Sequence, residues 1–214
     1  MVVLPSSGFG LVTTISRTDS SSRACSSDEA TKWYQQLVSS FPKSEPAPKA
    51  AGALRRLGSV GKPMRLRGAD IQGGMVDLAG PPYRGKVVLI HYWATWCEPC
   101  KADMVLLKDL YAKRGGREFE IIGVCLDEKE ANPKRYLAEN RFPWKHVHEP
   151  GGLDSRLANE MGVMTLPLMV LVDQQGNVAH HNIHAGAELE AELGRLNPPS
   201  TGTADTPRNA TRRR

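Results

Sequence analysis

Two cysteines, Cys97 and Cys100, stand two residues apart in the stretch Trp93-Ala94-Thr95-Trp96-Cys97-Glu98-Pro99-Cys100. That spacing allows a small disulfide ring to close. An apolar run, Val87-Val88-Leu89-Ile90, precedes the pair, and a run with helical spacing, Lys101 to Ala112, follows it. A strand therefore delivers a dithiol to the first turn of a helix, where unpaired backbone N–H groups and the helix dipole stabilise negative charge. This favours thiolate at Cys97, and thiolate is the attacking species in thiol–disulfide exchange. Pro99 suits a helix start, where its fixed φ fits and its missing N–H is not needed. Cys97, ahead of the helix, is expected to be the exposed nucleophile, and Cys100, one turn deeper, to resolve the mixed disulfide.

Metal binding competes for the same pair. One C-x-x-C supplies two soft ligands where tetrahedral zinc normally takes four, and the chain has no second C-x-x-C, so no metal is expected. Copper held by the pair and one of the six histidines stays open, because no spacing nominates which histidine. His180, His181 and His184 read as polar positions on an edge strand. The other two cysteines differ in setting. Cys25 lies in a serine-rich segment, where the residues before it do not fit a lipid-attachment site, and Cys125 ends the apolar run Ile121-Ile122-Gly123-Val124-Cys125-Leu126 as a small buried hydrophobe.

The elements that must position these residues follow from periodicity and turn signals. Residues 1–27 are Ser/Thr-rich and predicted disordered, residues 28–41 form a short amphipathic helix with Trp33, Leu37 and Phe41 at four-residue spacing, and residues 42–60 read as a basic Pro/Ala-rich linker. Short segments alternating with turn signals between Gly61 and Gly85 predict a β-hairpin. The strand before the cysteines, the helix after them and the strand Ile121 to Leu126 make a right-handed βαβ unit. Helices are predicted at 131–141 and 154–161, with an extended segment from Trp144 to His148 between them. Leu168 to Val172 and Val178 to Ile183 predict an antiparallel pair, and Glu188 to Leu196 a closing helix. Residues 197–214, rich in Pro, Thr and Arg, are predicted to be a disordered basic tail.

Length and charge narrow the function. A chain of 214 residues with 40% hydrophobic content supports one ordinary domain with extensions. The net charge of +5 sits in residues 43–67 and 197–214, which leaves the predicted domain mildly acidic and argues against nucleic-acid binding by the folded part. No run approaches the ~18 apolar residues of a membrane span.

The run from Gly85 to Lys101, with Trp96-Cys97-Glu98-Pro99-Cys100 at its end and Leu166-Pro167 far downstream, resembles the thioredoxin superfamily and within it the TlpA/ResA-like thiol–disulfide oxidoreductases. The similarity extends from about 61 to 196. It implies an α/β thioredoxin-like fold, a central mixed β-sheet flanked by helices with an N-terminal β-hairpin, over residues 61–196. It implies a redox-active Cys97–Cys100 disulfide and no separate cofactor. It also implies a protein disulfide as substrate, an upstream thiol protein as electron donor, and a monomer. By resemblance Pro167 is a cis-proline facing the cysteines, with Leu166 presenting its backbone to an extended substrate segment. The family is mostly exported, which implies a periplasmic or exported location, although residues 1–27 make a poor secretory signal.

Three ionisable positions near the motif are candidates for proton transfer and redox tuning. His91 stands where thioredoxin has a buried acid, and reads either as a neutral base or as a hydrogen-bonded core histidine. Asp103 matches a glutamate of ResA-like proteins, and reads either as a proton donor to Cys100 through water or as a solvated acid on the helix. Glu98, beside Cys97, opposes thiolate formation and makes the couple more reducing, favouring a disulfide reductase over an oxidant. Two other functions remain as alternatives: a thiol peroxidase of the AhpC/TSA type, although the Pro-x-x-x-Thr-x-x pattern before Cys97 is missing, and a binding module in which the cysteine pair is incidental.

Overall fold

Strand β3 (Val87–Trp93) is buried along its whole length, as a near-continuous apolar run at the centre of a covered sheet must be. In the computed structural model, which describes residues 27–197, β4 (Phe119–Cys125) and β5 (Lys145–His148) lie parallel to it on one side. On the other side β6 (Leu168–Val172) and β7 (Val178–His180) are added antiparallel, giving a five-stranded sheet of order β5-β4-β3-β6-β7.

The two-residue period of β3 splits its side chains between two cores. Val87 and Leu89 pack with Leu107 and Leu110 of helix α3 (Glu98–Arg114) and with Leu189 and Leu193 of helix α6 (Ala187–Leu196). Val88, Ile90 and Tyr92 pack on the opposite face with Leu157, Ala158 and Met161 of helix α5 (Arg156–Met161). Helix α4 (Ala131–Asn140) contributes Leu137 beside the cysteines. The mixed sheet flanked by helices agrees with the architecture implied by the sequence.

The predicted hairpin is present as β1 (Arg67–Ala69) and β2 (Met75–Asp77), a separate antiparallel pair. It rests on β5: the Ile71 N–H donates to the His146 carbonyl at 2.8 Å, and Lys145 pairs with Asp70 at 2.7 Å. Just before the hairpin, the chain also touches β7, where the Gly61 N–H donates to Val178 O and the Val178 N–H donates to Lys62 O.

Residues 42–60 correct one expectation. The amphipathic helix before them is present as α1 (Ser27–Ser40), but the segment predicted as a linker contains helix α2 (Ala47–Leu57), docked against α5. Its prolines stand at the helix start, where they are tolerated, and its alanines favour helix. The same small residues allow close packing. A Cβ built on Gly52 would lie 1.9 Å from the Asn159 carbonyl oxygen, so only a bare Cα permits this approach. Arg56 Nε donates to Met161 O at 3.0 Å, and Lys49 pairs with Asp154 at 2.8 Å.

Two boundaries also move. Strand β7 ends at His180, past a register irregularity at Leu171/Val172, and does not continue to Ile183. Helix α5 begins at Arg156 behind the Ser155 cap, with Asp154 in a preceding 3-10 turn. The predicted disordered segments and Cys25 fall in residues 1–26 and 198–214, outside the described residues.

Candidate active site

Cys97 occupies the N-cap of α3, in extended conformation, and its sulfur accepts the Cys100 backbone N–H at 3.2 Å. Pro99 lies in the first turn, as its missing donor allows. The two cysteines are joined as a disulfide with an S–S distance of 2.04 Å. Cys100 is 0% exposed and Cys97 only 4%. The expectation of an exposed Cys97 therefore needs correction, because Ala94, Trp93 and Met104 pack around both sulfurs and leave Cys97 just the narrower cover of the two. Trp96, beside it, is 58% exposed and stands at the surface of the site.

The loop entering α3 is fastened from the end of the neighbouring strand. Because β3 and β4 are parallel, the residues that follow them emerge at the same edge of the sheet. Asp127, two residues past β4, is 1% exposed. Its carboxylate accepts the Thr95 N–H at 2.9 Å, the Thr95 hydroxyl at 2.5 Å and the Cys125 thiol at 3.1 Å. Its main-chain oxygen accepts from His148 Nε2 at 2.8 Å. Sequence reading missed this residue. The signal available was an acid directly after a buried strand that runs parallel to the strand carrying the cysteines.

The Leu166–Pro167 bond is cis. Leu166 packs partly buried against the same apolar cluster that holds Cys97 and Cys100, so the structure brings this loop to the cysteines. Glu98 is also at the site, but its side chain is largely exposed and ion-paired with Lys101 at 2.7 Å, which screens the charge assigned a tuning role. Asp103 lies one turn further along α3, half-buried, and partial burial raises its carboxyl above the ordinary range, while His184 opposes this. No hydrogen bond from Asp103 to either cysteine is seen among the described residues.

His91 is not at the surface of the site. It is fully buried on the face of β3 that carries Leu89 and Trp93, and neither ring nitrogen has a hydrogen-bond partner among the described residues. The hydrogen-bonded core histidine expected from sequence is thus corrected to an unpartnered one. His146 on β5 is in the same condition, and register places both beside Gly123, one on each side. Gly123 has to be glycine, since a Cβ there would lie 2.2 Å from His146 Nδ1.

Burial lowers the pKa of His91 to about 3; burial, then His91 itself, lowers that of His146 to about 3. Both rings stay neutral at neutral pH, and so low a proton affinity, together with ring nitrogens that reach no partner among the described residues, removes the support for His91 as a base. The unfolded chain binds protons at these histidines below about 6.5 and the folded chain does not until about pH 3. Folding stability contributed by the neutral rings is therefore complete above that range and falls as pH drops through it, by about 1.4 kcal/mol per pH unit for each ring. Urea unfolding midpoints between pH 7 and 4 are expected to decline along this slope. His91→Leu should make the decline shallower by one histidine's share, and an unchanged slope would refute the assignment.

Cys125, paired in register with Trp93, is 0% exposed, and burial drives its thiol pKa far up. It should resist alkylation in native buffer and react only once denaturant is added. Rapid native labelling, read by mass spectrometry, would contradict its placement.

A C-x-x-C disulfide at the start of a helix that follows a buried central strand, with a cis X–Pro bond beside it, defines a thioredoxin-like fold. Residues 85–178 match the thioredoxin-like family model. The chain is similar to the ResA thiol–disulfide oxidoreductases: that of Bacillus thuringiensis subsp. konkukian is 28% identical over 131 residues, covering 60% of this chain and 73% of the relative. Nucleoredoxin of Mus musculus is 32% identical over 122 residues, 55% of this chain and 28% of that protein. Among solved structures, the thioredoxin domain of a thiol–disulfide oxidoreductase from Bacteroides vulgatus superposes with TM-score 0.55 at 26% identity, covering 64% of this chain and 95% of that one. The C-terminal domain of a thiol–disulfide oxidoreductase from Bacteroides thetaiotaomicron shares the fold with TM-score 0.59 at 21% identity, covering 65% and 94%.

Proposed function

We propose that this protein is a thiol–disulfide oxidoreductase that reduces disulfides of protein substrates through Cys97 and Cys100. The observation that carries this is the unequal placement of the two sulfurs: Cys97 at the helix cap with residual exposure, Cys100 behind it with none. The Cys97 thiolate attacks one substrate sulfur, forming a mixed disulfide and expelling the other substrate sulfur as thiolate. Cys100, deprotonated in turn, attacks Cys97 Sγ, closes the internal disulfide and releases the second substrate thiolate. Two electrons and two protons pass to the substrate. An upstream thiol protein must then return the pair to the dithiol.

The exposed Trp96 and the half-buried Leu166 support a protein substrate, because they offer apolar surface near the sulfurs. Leu166 supplies the main chain against which an extended substrate segment would pair. The pair itself is the redox group, and no further cofactor is required. An exported location, implied by the family resemblance, belongs to the same proposal; no helix among the described residues is long and apolar enough to cross a membrane. The test is acceleration of insulin disulfide reduction by dithiothreitol, followed by the turbidity of the freed chains. Absence of acceleration by the folded wild type would sink the proposal.

A further inference from the structure

We propose that Asp127 is a positioning residue that also sets the direction of electron flow. Its buried carboxylate fastens the loop carrying Cys97, and its negative charge, without a paired cation among the described residues, holds the Cys97–Cys100 couple on the reducing side. The inference rests on the oxidoreductase reading and adds to it the residue that biases the couple.

The geometry has two parts. Thr95 is gripped twice by one carboxylate, through its N–H and its hydroxyl, two residues before the nucleophile. This adds a side-chain clamp to the turn between β3 and α3, whose backbone is closed by the Cys97 N–H donating to Ala94 O at 3.1 Å. The second part is electrostatic. Every donor on the carboxylate is neutral: an amide, a hydroxyl and a thiol. The groups around it do not cancel its charge. Lys101 on α3 is taken by Glu98, Glu128 next along the loop is exposed and of the same sign, and the His148 ring on β5 bonds the main-chain oxygen, not the carboxylate. Asp127 is nonetheless felt at the helix start, since the Lys101 pKa is raised first by its bond to Glu98 and in smaller measure by the Asp127 charge.

A carboxylate in this position works against the helix N-terminus. The helix start favours the thiolate of Cys97 and so stabilises the reduced form, as happens in strongly oxidising members of such couples. A buried anion opposes the thiolate and withdraws that stabilisation. Glu98, the acid that sequence reading put in this role, is exposed and paired; Asp127 is buried, with only neutral donors on its carboxylate among the described residues.

The experiment separates the charge from the clamp. In Asp127→Asn the side-chain oxygen can still accept the Thr95 N–H, and the amide can donate to the Thr95 hydroxyl, whose proton rotates away. Asp127→Ala loses both charge and clamp. The redox equilibrium of each protein is measured in glutathione buffers, and the Cys97 thiolate is titrated by its ultraviolet absorbance in the reduced protein. In buffer held about one unit above the wild-type Cys97 pKa, where the thiolate is the main reduced form, the Asp127→Asn equilibrium with glutathione should shift about tenfold toward the dithiol, a potential about 30 mV more oxidising. The Cys97 pKa should fall by about one unit to match. Asn should recover the thermal midpoint lost in Ala but not the wild-type potential, a pattern that a purely structural role would not produce.

An equilibrium constant within twofold of wild type in a folded Asp127→Asn protein overturns the inference. The wild type supplies an independent check that survives even if both variants fail to fold. Its Cys97 pKa should be no lower than about 7.5, the top of the range of depressed thiols, and a lower value overturns the inference as well. If the wild-type pair cannot be cycled between disulfide and dithiol, the oxidoreductase reading itself falls, and the role of Asp127 with it.

Discussion

Cys100→Ser is expected to stop on its substrate as a covalent adduct, while Cys97→Ser leaves the same substrate untouched, and both lose multiple turnover altogether. The asymmetry follows from where each sulfur lies. Cys97 caps α3 and receives backbone N–H groups that stabilise its thiolate, whereas Cys100 is buried in the first turn against Met104. A variant keeping Cys97 can still attack a disulfide but has no second thiol to expel the product. Incubation with insulin followed by non-reducing electrophoresis should show the Cys100→Ser adduct, dissolved by dithiothreitol, and mass spectrometry should place the link at Cys97. A link formed through Cys100 in Cys97→Ser would reverse the assignment. So would a wild type that turns over while neither variant traps.

The second large effect is expected far from the sulfurs. Gly52→Val should detach α2 from α5, because the added side chain begins where the Asn159 carbonyl oxygen, the Gly162 nitrogen and the Gly162 Cα already stand, 1.9, 2.4 and 2.9 Å from the new Cβ. These are backbone atoms and cannot swing aside like a side chain. The penalty should exceed the ~1–3 kcal/mol of ordinary overpacking. Leaving the surface of α5 is the cheaper relief, since the sheet and its two cores do not include α2. Limited proteolysis should therefore cut within residues 42–60 of the variant and leave the remaining domain intact. A wild-type digestion pattern would show that the contact yields in some other way.

The cysteine pair was largely legible in the sequence and its surroundings were not. Cys97, Cys100 and Pro99 carry their positions in their spacing, because a strand, a tight dithiol and a helix start leave little freedom. Pro167 was identified by resemblance, being seventy residues from the cysteines in the chain and next to them only through the β3–β6 pairing. Asp127 was out of reach for a related reason: its partners lie on the adjacent strand, and a single acid after an apolar run does not show which loop it will meet. The misreading of residues 47–57 has another origin. Alanine, glycine and proline are common both to linkers and to helices that pack backbone to backbone, and what decides between them is the complementary surface on α5. His91 shows the limit of analogy, since the sequence position suggested a proton-transfer role while burial makes its ring too weak a proton acceptor and leaves both nitrogens without a partner among the described residues.

The contacts of the segment 60–71 with the two outermost strands have a consequence for self-association. An open five-stranded sheet ends in two rows of unpaired backbone groups, each a template on which another chain can add a strand. Here one stretch of chain occupies both. Val60 to Met64 lies along β7 and the turn that precedes it through Val178 and Gly176, and Asp70 and Ile71 lie along β5 through Val147 and His146. The part that matches the family model begins only at Gly85 and leaves this stretch out. The catalytic strands and helices are thus contained in the matched region, while the protection of the sheet against edge-to-edge aggregation is supplied by what precedes it.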